Sequence, residues 1–402
     1  MKALVLYELH FYRDANGEYW SKRLVDYKFL DRYISVFEEI SICARVAHID
    51  QAEKGMMKVS GPRVSFVELP DTQGMSETIK RLPETKKIFR KALMESDALI
   101  TRAPTMLTML LYKEIKNSKI LYSVDVALSG LNLIQKPGFV WNNANKWIDR
   151  RLKKICMEAN GVSYVTEYVL QKKYPCRAMK EPDNENYFTS SFSTIEMNDE
   201  HYYKQNWNKD KVPEKFVLVH TGFMDDERKC QDVVLKAVSK VIEQGYNVEI
   251  RFIGDGVLRQ KYEQMAEELG IRDRCQFCGL ISGKETLLNE LRKCHLFVFP
   301  TKAEGLPRAV LEAMAQGLPC ISSPVDGVPE LLEPEYLVDW WDADGFSQKI
   351  CELLSDWGKM INQSEANYQK SLNYHNDILK VKRHDFYSKL YQLCKKKTNI
   401  ED

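Results

Sequence analysis

The chain has 402 residues, a length that exceeds one ordinary domain core and predicts two or three domains. Its 58 basic residues almost balance its 57 acidic residues, so no long-range field favours nucleic acid, and any anionic ligand must be held by a local site. The first residues form only a short apolar stretch before Glu8, which is typical of a strand and not of a secretory signal. Since no segment approaches the ~18 apolar residues of a spanning helix, we expect a cytoplasmic protein.

The N-terminal region alternates short apolar runs with segments of helical periodicity. Apolar residues recur at helical spacing over residues 24–37, and the runs predict strands at residues 3–7, 40–44, 64–69, 98–101, 119–124 and 162–166. Strands that alternate with helices pair in parallel through crossovers, so residues 1–176 are predicted to form a doubly wound, Rossmann-like domain. Residues 177–213 are polar and rich in aromatic residues, with neither periodicity, and we interpret them as the inter-domain connection.

The alternation is clearer in the second half of the chain. The pattern predicts strands at residues 216–221, 248–253, 274–278 and 295–299, with helices at residues 231–244, 257–269 and 285–293. Residues 214–372 are therefore predicted to form a second α/β domain with a doubly wound sheet. The tail, residues 373–402, has a helical pattern, and we expect it to pack back toward the first domain.

The ten cysteines are scattered, and we expect them to be reduced. Cys275 and Cys278 have the spacing of some redox and metal sites. They fall in a predicted strand, however, where residues three apart face opposite sides, and no second pair of ligands accompanies them. Asp342 and Asp344 imitate a metal-binding acidic pair, but they follow the segments that carry the chemistry. We therefore expect no metal site.

The segment from Phe297 to Ile321 carries the most information. A buried strand ends at Pro300, a short loop holds Glu304, and a helix is predicted to begin near Pro307, where a missing amide is tolerated. In doubly wound sheets this edge binds nucleotides, and a helix N-terminus there offers free amides and a partial positive charge to phosphates. Glu312, eight residues after Glu304, projects from the second turn of that helix. Two carboxylates can thus meet one elongated ligand at different points.

This pattern resembles the family-four retaining glycosyltransferases of the two-Rossmann-domain architecture, known as GT-B. In that family a Glu, seven residues and a second Glu are followed by Gly-x-Pro and a strand, and Glu304, Glu312, Gly317 and Pro319 match these positions. The loop from Ser323 to Glu330 resembles the family's next donor loop. The resemblance extends strongly over residues 216–332, and it implies two doubly wound domains that face a central cleft.

By this resemblance, the second domain binds a nucleoside diphosphate sugar, and no other cofactor is implied. Glu304 would act on the donor sugar and stabilise the developing oxocarbenium ion, and Glu312 would accept hydrogen bonds from the ribose. The family's Gly-Arg then Lys element matches Gly222, Phe223 and Lys229, with Phe223 at the position of the expected Arg. Lys229 and Arg228 would neutralise the diphosphate unless they are ordinary solvated residues at a helix start. The further positions expected to line the donor pocket are Gly254, Asp255, Gly279, Leu280, Gly305, Leu306 and Pro307.

Two N-terminal residues are candidates for contact with a sugar acceptor. His10 lies in what we interpret as a loop after the first strand, residues 8–20, and Asp125 follows the strand that ends at Val124. An ordinary structural role remains open for each. Residues 145–160 form a basic amphipathic pattern that fits either a helix packed in the domain or one that touches a membrane carrying a lipid-linked acceptor.

The sequence therefore predicts a retaining, metal-independent transferase that moves a sugar to a hydroxyl group. A saccharide or lipid-linked saccharide acceptor and a role in bacterial-type polysaccharide or glycoconjugate synthesis follow from the resemblance, with possible peripheral contact at the inner membrane face. Two alternatives remain. One is a nucleotide-sugar epimerase of the same architecture, and the other is a non-catalytic partner subunit, for which Phe223 is the one feature in favour.

Overall fold

The computed structural model describes residues 1–22, 25–134 and 138–401. These residues form two units, one of Met1–Phe192 with the chain from Lys380 onward, and the other of Ser193–Leu379. The domain boundaries predicted from the sequence, at residues 176, 213 and 372, stay a prediction. The boundaries of the two structural units lie at different residues of the chain. Among the described helices, none has the length and hydrophobicity needed to cross a lipid bilayer.

The strands of the first unit follow one another in chain order as β1 Lys2–Arg13, β2 Tyr19–Ser21, β3 Glu39–His48, β4 Met57–Lys58, β5 Val64–Pro70, β6 Ala98–Ala103, β7 Leu121–Val126, β8 Gly161–Tyr164 and β9 Phe188–Ser191. Parallel pairing gives the order β5-β3-β1-β6-β7-β8-β9, and β2 and β4 add an antiparallel extension beside the end of β1. The strand order therefore reverses between β1 and β6. In doubly wound sheets such a reversal marks the crevice where ligands bind.

The helices of this unit are α1 Asp31–Ile34, α2 Gly74–Lys80, α3 Leu82–Met94, α4 Met106–Ser118, α5 Phe139–Glu158, α6 Val169–Lys173 and α7 Arg177–Lys180. Burial of their apolar faces against the sheet builds the core, in which Ile148, Leu152 and Ile155 of α5 are buried. The helical pattern at residues 24–37 yields only α1 and a preceding 3-10 turn, and residue 24 lies outside the described part.

The second unit contains the remaining strands, β10 Phe216–Thr221, β11 Val248–Ile253, β12 Cys275–Gly279, β13 Leu296–Phe299 and β14 Cys320–Ser322. All pairs are parallel, in the order β12-β11-β10-β13-β14, so the order reverses between β10 and β13. A parallel sheet covered on both faces needs apolar strands, and Leu296–Phe299 is fully buried. Both sheets thus confirm the predicted α/β class with two doubly wound, Rossmann-like domains.

The remaining helices are α8 Gln231–Glu243, α9 Arg259–Glu268, α10 Lys284–Arg292, α11 Arg308–Ala315, α12 Val328–Leu331, α13 Ala343–Ser355, α14 Trp357–Ser371 and α15 Asn376–Glu401. One face of α8 is buried in the core of the unit, as its apolar spacing predicts. From Lys380 onward, α15 belongs to the first unit, where Phe386 packs edge-on against Phe188 of β9. All ten cysteines are free thiols, and Cys275 is buried in β12.

Candidate donor site

The loops that follow β10 and β13 meet where the strand order of the second sheet reverses. Lys229, in the first loop, forms an ion pair with Glu304, in the second, and Thr301 Oγ1 donates a hydrogen bond to Glu304 Oε1 at 3.2 Å. The Lys302 amide donates to the Arg228 carbonyl at 2.9 Å and joins the two loops through their backbones. The two residues that the sequence singled out for chemistry, 75 positions apart, are therefore in direct contact at the ligand-binding edge.

The Lys229–Glu304 pair is only slightly accessible, with side-chain exposures of 23% and 14%. The ammonium group of Lys229 also lies 4.7 Å from the ring centroid of Phe299, within the range of a cation–π contact. A phosphate that displaces the Glu304 carboxylate would meet a cation that is already partly desolvated. Electrostatic attraction is stronger in such a place than at an open surface.

Glycines at three neighbouring strand ends let these loops pack closely. Gly222 follows β10, Gly254 follows β11 and Gly279 ends β12, and the Gly254 amide donates to the Gly279 carbonyl at 2.9 Å. Gly254 has a φ of +140°, and a Cβ atom there would lie 2.0 Å from the Gly222 carbonyl oxygen. A Cβ atom on Gly222 would in turn lie 2.9 Å from Cγ of Lys229. Glycine at these positions therefore sets the path of the Lys229 side chain.

The edge of the sheet beside these glycines is partly apolar. Phe223 and Leu280 directly follow two of the glycines and are 47% and 62% exposed. Asp255 is held locally, because its carboxylate accepts from the Gly256 amide at 2.8 Å and from Arg259 at 3.3 Å. A ligand at this edge would therefore meet exposed apolar side chains and backbone. The Asp255 carboxylate, in contrast, stabilises its own loop.

The second predicted carboxylate, Glu312, lies on α11, the helix after the Glu304 loop. Burial raises the pKa of its carboxyl group, an effect that Arg308 and Lys284 oppose. The Glu312 carboxylate forms no hydrogen bond or ion pair with the described residues, although it is only partly accessible. A ligand that donates hydrogen bonds, such as the hydroxyl groups of a ribose, would stabilise this partly buried carboxylate, which has no other hydrogen-bond donor among the described residues.

The N-terminus of α11 is open to a ligand as well. Pro307, a buried residue, is the residue before the helix rather than its first residue, and no side chain caps the first turn. The first amides of the helix, from Arg308 on, are therefore without an intrahelical partner, as at any helix start. Gly305 and Leu306 lead into the helix, and the Gly305 carbonyl accepts from the Gly327 amide at 2.8 Å, which ties in the loop after β14.

Lys284, at the start of α10, was not predicted from the sequence. Burial lowers the pKa of its ammonium group, and the nearby Glu312 carboxylate opposes that shift. A lysine at the beginning of a helix reads as a solvated residue, so its own pattern carries no functional signal. Only its position in the chain could have indicated a role in the site, because Gly283 and Lys284 follow β12 at the same sheet edge as the predicted loops.

Arg228 forms an ion pair with a residue of its own loop, Asp226. Its Nη2 atom lies 2.7 Å from Asp226 Oδ2, and both side chains are 44% exposed. The negative charge of Glu304 also contributes to the raised pKa of Arg228, after the larger contribution of the hydrogen bond to Asp226. Arg228 therefore lies near the Lys229–Glu304 pair, and its predicted contact with phosphate stays a prediction.

The two N-terminal candidates lie in strands, and the loop expected at residues 8–20 is confined to residues 14–18, because β1 extends to Arg13 and β2 begins at Tyr19. Strand β1 continues past an irregularity between Leu6 and His10 and forms a hairpin with β2. Asp125 lies within β7, and its carboxylate accepts hydrogen bonds from Ser163 at 2.6 Å and from Tyr387 of α15 at 2.9 Å. These bonds give Asp125 a structural role in the first unit. Contact with an acceptor stays a prediction for both residues.

Among the residues that the structure describes, no group of three or more His, Cys, Asp or Glu side chains is arranged to hold a metal ion. Asp342 instead caps α13 by accepting from the Gly345 amide at 2.8 Å, and Asp344 pairs with Lys240. The acidic pair noted in the sequence is thus occupied by local structural contacts.

Comparison with known proteins identifies the second unit. Residues 215–356 match the family model of glycosyl transferases group 1. The chain is 27% identical to Protein CapJ of Staphylococcus aureus over 77% of its own length and 76% of CapJ. It is also 29% identical to the amylovoran biosynthesis glycosyltransferase AmsK of Erwinia amylovora, over 35% of each protein.

The fold is similar over nearly the whole chain to that of Anabaena HepE, solved in complex with UDP-glucose. The TM-score is 0.65 at 15% identity, covering 96% of this chain and 99% of HepE. These matches confirm the resemblance on which the sequence analysis relied. Residues 215–356 are therefore similar to the glycosyl transferases group 1 family, and the chain has the two-Rossmann-domain fold of GT-B glycosyltransferases.

Proposed function

We propose that this glycosyltransferase moves a sugar from a nucleoside diphosphate sugar to a hydroxyl group, with retention of the anomeric configuration and without a metal ion. The observation that carries the proposal is the Lys229–Glu304 ion pair, placed where the strand order reverses and next to the open N-terminus of α11. HepE, which shares the fold, binds UDP-glucose. AmsK, by its name, acts in amylovoran biosynthesis, which supports a role in polysaccharide or glycoconjugate synthesis.

The role proposed for each residue follows from the charge of its side chain. Lys229, with Arg228, and the free amides of α11 stabilise the diphosphate as it departs, because negative charge develops there in the transition state. The Glu304 carboxylate stabilises the positive charge that develops on the sugar, and Glu312 accepts hydrogen bonds from the ribose. The glycosidic bond between the anomeric carbon and the phosphate oxygen breaks while the acceptor oxygen bonds to the same face of that carbon. The acceptor proton passes to the departing phosphate oxygen, so no enzyme nucleophile is required.

The first experiment measures binding of a panel of nucleoside diphosphates and their sugars by calorimetry. One base and one sugar are expected to bind best, and Lys229→Met is expected to weaken that binding. The anomeric configuration of the product, read by NMR, then tests retention. A product with inverted configuration would contradict the mechanism, and conversion of the donor sugar without any acceptor would indicate an epimerase instead.

Contact with an anionic membrane is a separate part of the proposal, and it rests on α5. The first residues of this helix, Phe139 and Val140, are 82% and 71% exposed, although its inner face is buried in the core. Arg151 lies 4.7 Å from the ring centroid of Trp147, and Lys146 and other basic residues are exposed on the outer face. Exposed apolar residues beside basic ones suit the interface of a bilayer with anionic lipids, where a lipid-linked acceptor would reside.

A further inference from the structure

Lys284 and Glu312 carry opposite charges on neighbouring helices without forming an ion pair. Lys284 is the first residue of α10, Glu312 lies on the second turn of α11, and these two helices contact each other. Burial lowers the pKa of the Lys284 ammonium group, and the Glu312 carboxylate opposes that shift. The two charges are therefore close in space. Neither side chain forms a hydrogen bond or an ion pair with the described residues.

Two partly buried charges without hydrogen-bond partners are a feature that a ligand can stabilise. Each group has lost part of its hydration, and no described residue compensates for that loss. A ligand that donates hydrogen bonds to Glu312 and accepts one from Lys284 would satisfy both groups. The function proposed above supplies the donors, because the ribose hydroxyl groups are assigned to Glu312. Lys284 still needs an acceptor.

The strand order indicates which part of a nucleotide lies beside Lys284. The diphosphate is assigned to Lys229, where β10 and β13 are neighbours, whereas α10 begins after β12, the edge strand that is separated from β10 by β11. Phosphate and base leave the ribose from opposite ends. A ribose at Glu312 therefore directs the base away from Lys229 and toward the loop between β12 and α10. In that loop Leu280 is 62% exposed and offers an apolar surface to the face of the base.

The chemistry of the ammonium group limits which base it can bind. Lysine only donates hydrogen bonds, so it favours a base edge with a carbonyl oxygen, as in uracil or guanine, over one with an amino group, as in cytosine or adenine. Resting on the function proposed above, we propose that Lys284 selects the base of the donor, with its Nζ atom donating a hydrogen bond to a carbonyl oxygen of the ring. An amino group at the same place would leave the ammonium group without an acceptor and so weaken binding.

The test compares nucleoside diphosphates of one ring size that differ in one exocyclic group. UDP has a carbonyl where CDP has an amino group, and IDP differs from ADP in the same way. Calorimetry on the full-length protein gives the four dissociation constants. Within the pair that binds more tightly, the carbonyl member is expected to bind about ten- to a hundredfold better than the amino member, the range for one hydrogen bond to a charged group.

Two substitutions at Lys284 and one control check the cause of this preference. Lys284→Met removes the donors but keeps an unbranched side chain, so it should weaken binding of the carbonyl member and bring the two affinities close together. Lys284→Gln has an amide oxygen that accepts from an amino group, so it should bind the amino member more tightly than Lys284→Met does. Lys293, at the other end of α10, is 59% exposed and pairs with Glu290 at 2.6 Å. Lys293→Met should match the wild type.

The ratio of the two affinities separates base selection from a structural role. The proposal is overturned if the wild type binds both members of its preferred pair equally well, or if Lys284→Met retains the wild-type ratio. It is also overturned if Lys284→Met weakens both members to the same extent, which would assign Lys284 to the ribose or to the packing of α10. These outcomes leave the proposed function intact. A wild type that binds none of the four nucleotides would refute the proposed function and this inference together.

Discussion

Replacing Glu304 with Gln separates the two roles of the ion pair at the donor site. The Glu304 side chain is 14% exposed and that of Lys229 is 23% exposed, so the pair is partly shielded from solvent. Gln retains an oxygen that can accept from Thr301, but it removes the charge that occupies Lys229 in the absence of a ligand. The ammonium group is then free for phosphate. We expect nucleoside diphosphate binding to be unchanged or several-fold tighter, and transfer to fall by about a hundredfold or more, since the lost charge acts mainly in the transition state.

The size of the effect can be bounded from the structure. Breaking a fully buried ion pair costs about 3–5 kcal/mol, and an exposed pair contributes about 0–1 kcal/mol. The partial exposure of this pair and the hydrogen bond that remains to Thr301 place the loss of folding free energy between these limits. A hundredfold loss of turnover corresponds to about 2.7 kcal/mol of transition-state stabilisation, and it should be visible while the protein is still folded.

Three measurements on the same preparation check this reasoning. Calorimetry gives the dissociation constant of the nucleoside diphosphate, a product assay gives turnover, and thermal denaturation shows that the variant is folded. Lys229→Met provides the matched control, because it should weaken nucleotide binding and turnover together. If Glu304→Gln weakens nucleotide binding as much as it lowers turnover, Glu304 serves only to hold the loops together and its proposed catalytic role is refuted.

Four further predictions follow from the structure. Activity is expected to survive EDTA, because side chains and the α11 N-terminus would hold the diphosphate, and loss of turnover restored by Mg²⁺ would contradict this. Gly254→Ala should lower the melting temperature and nucleotide binding far more than Gly245→Ala, since a Cβ atom at 254 meets the Gly222 carbonyl, whereas nothing lies within 4 Å of one at 245. Phe139→Ser with Val140→Ser should reduce sedimentation with phosphatidylglycerol vesicles but leave turnover of a water-soluble acceptor intact; equal sedimentation would rule out this surface. Arg228→Ala should lower turnover more than nucleotide binding.

Much of the second domain was predictable because its signals are local. Parallel strands that are buried on both faces appear as short apolar runs, and Phe297 and Phe299 of β13 belong to such a run. The loop with Glu304 and the helix with Glu312 follow directly in the sequence. The ion pair between Lys229 and Glu304 was not predicted. The resemblance implied only that both residues act on one donor, and the topology that makes β10 and β13 neighbours is not a local property.

The first domain shows where local patterns are insufficient. The segment after Tyr7 was interpreted as a loop, but Phe11 is fully buried in β1 and the strand is completed by pairing with β2 and β3. That pairing is stabilised by distant residues, such as Phe66, whose ring stacks on Tyr19.

Because position 223 holds Phe instead of the expected Arg, substitution of Arg228 tests which residue supplies the second positive charge to the diphosphate. Its ion pair with Asp226 is exposed on both sides, and such pairs contribute about 0–1 kcal/mol, so a diphosphate could draw the guanidinium away at little cost. We expect Arg228→Ala to lower turnover by about ten- to a thousandfold and Arg228→Lys to recover only part, since Lys lacks the forked donor geometry. Asp226→Asn, which frees the guanidinium, should not reduce turnover. The rival is Arg308, at the start of α11, which forms no ion pair with the described residues. If Arg308→Ala is impaired and Arg228→Ala turns over like the wild type, the second phosphate contact comes from α11 and the assignment of Arg228 fails.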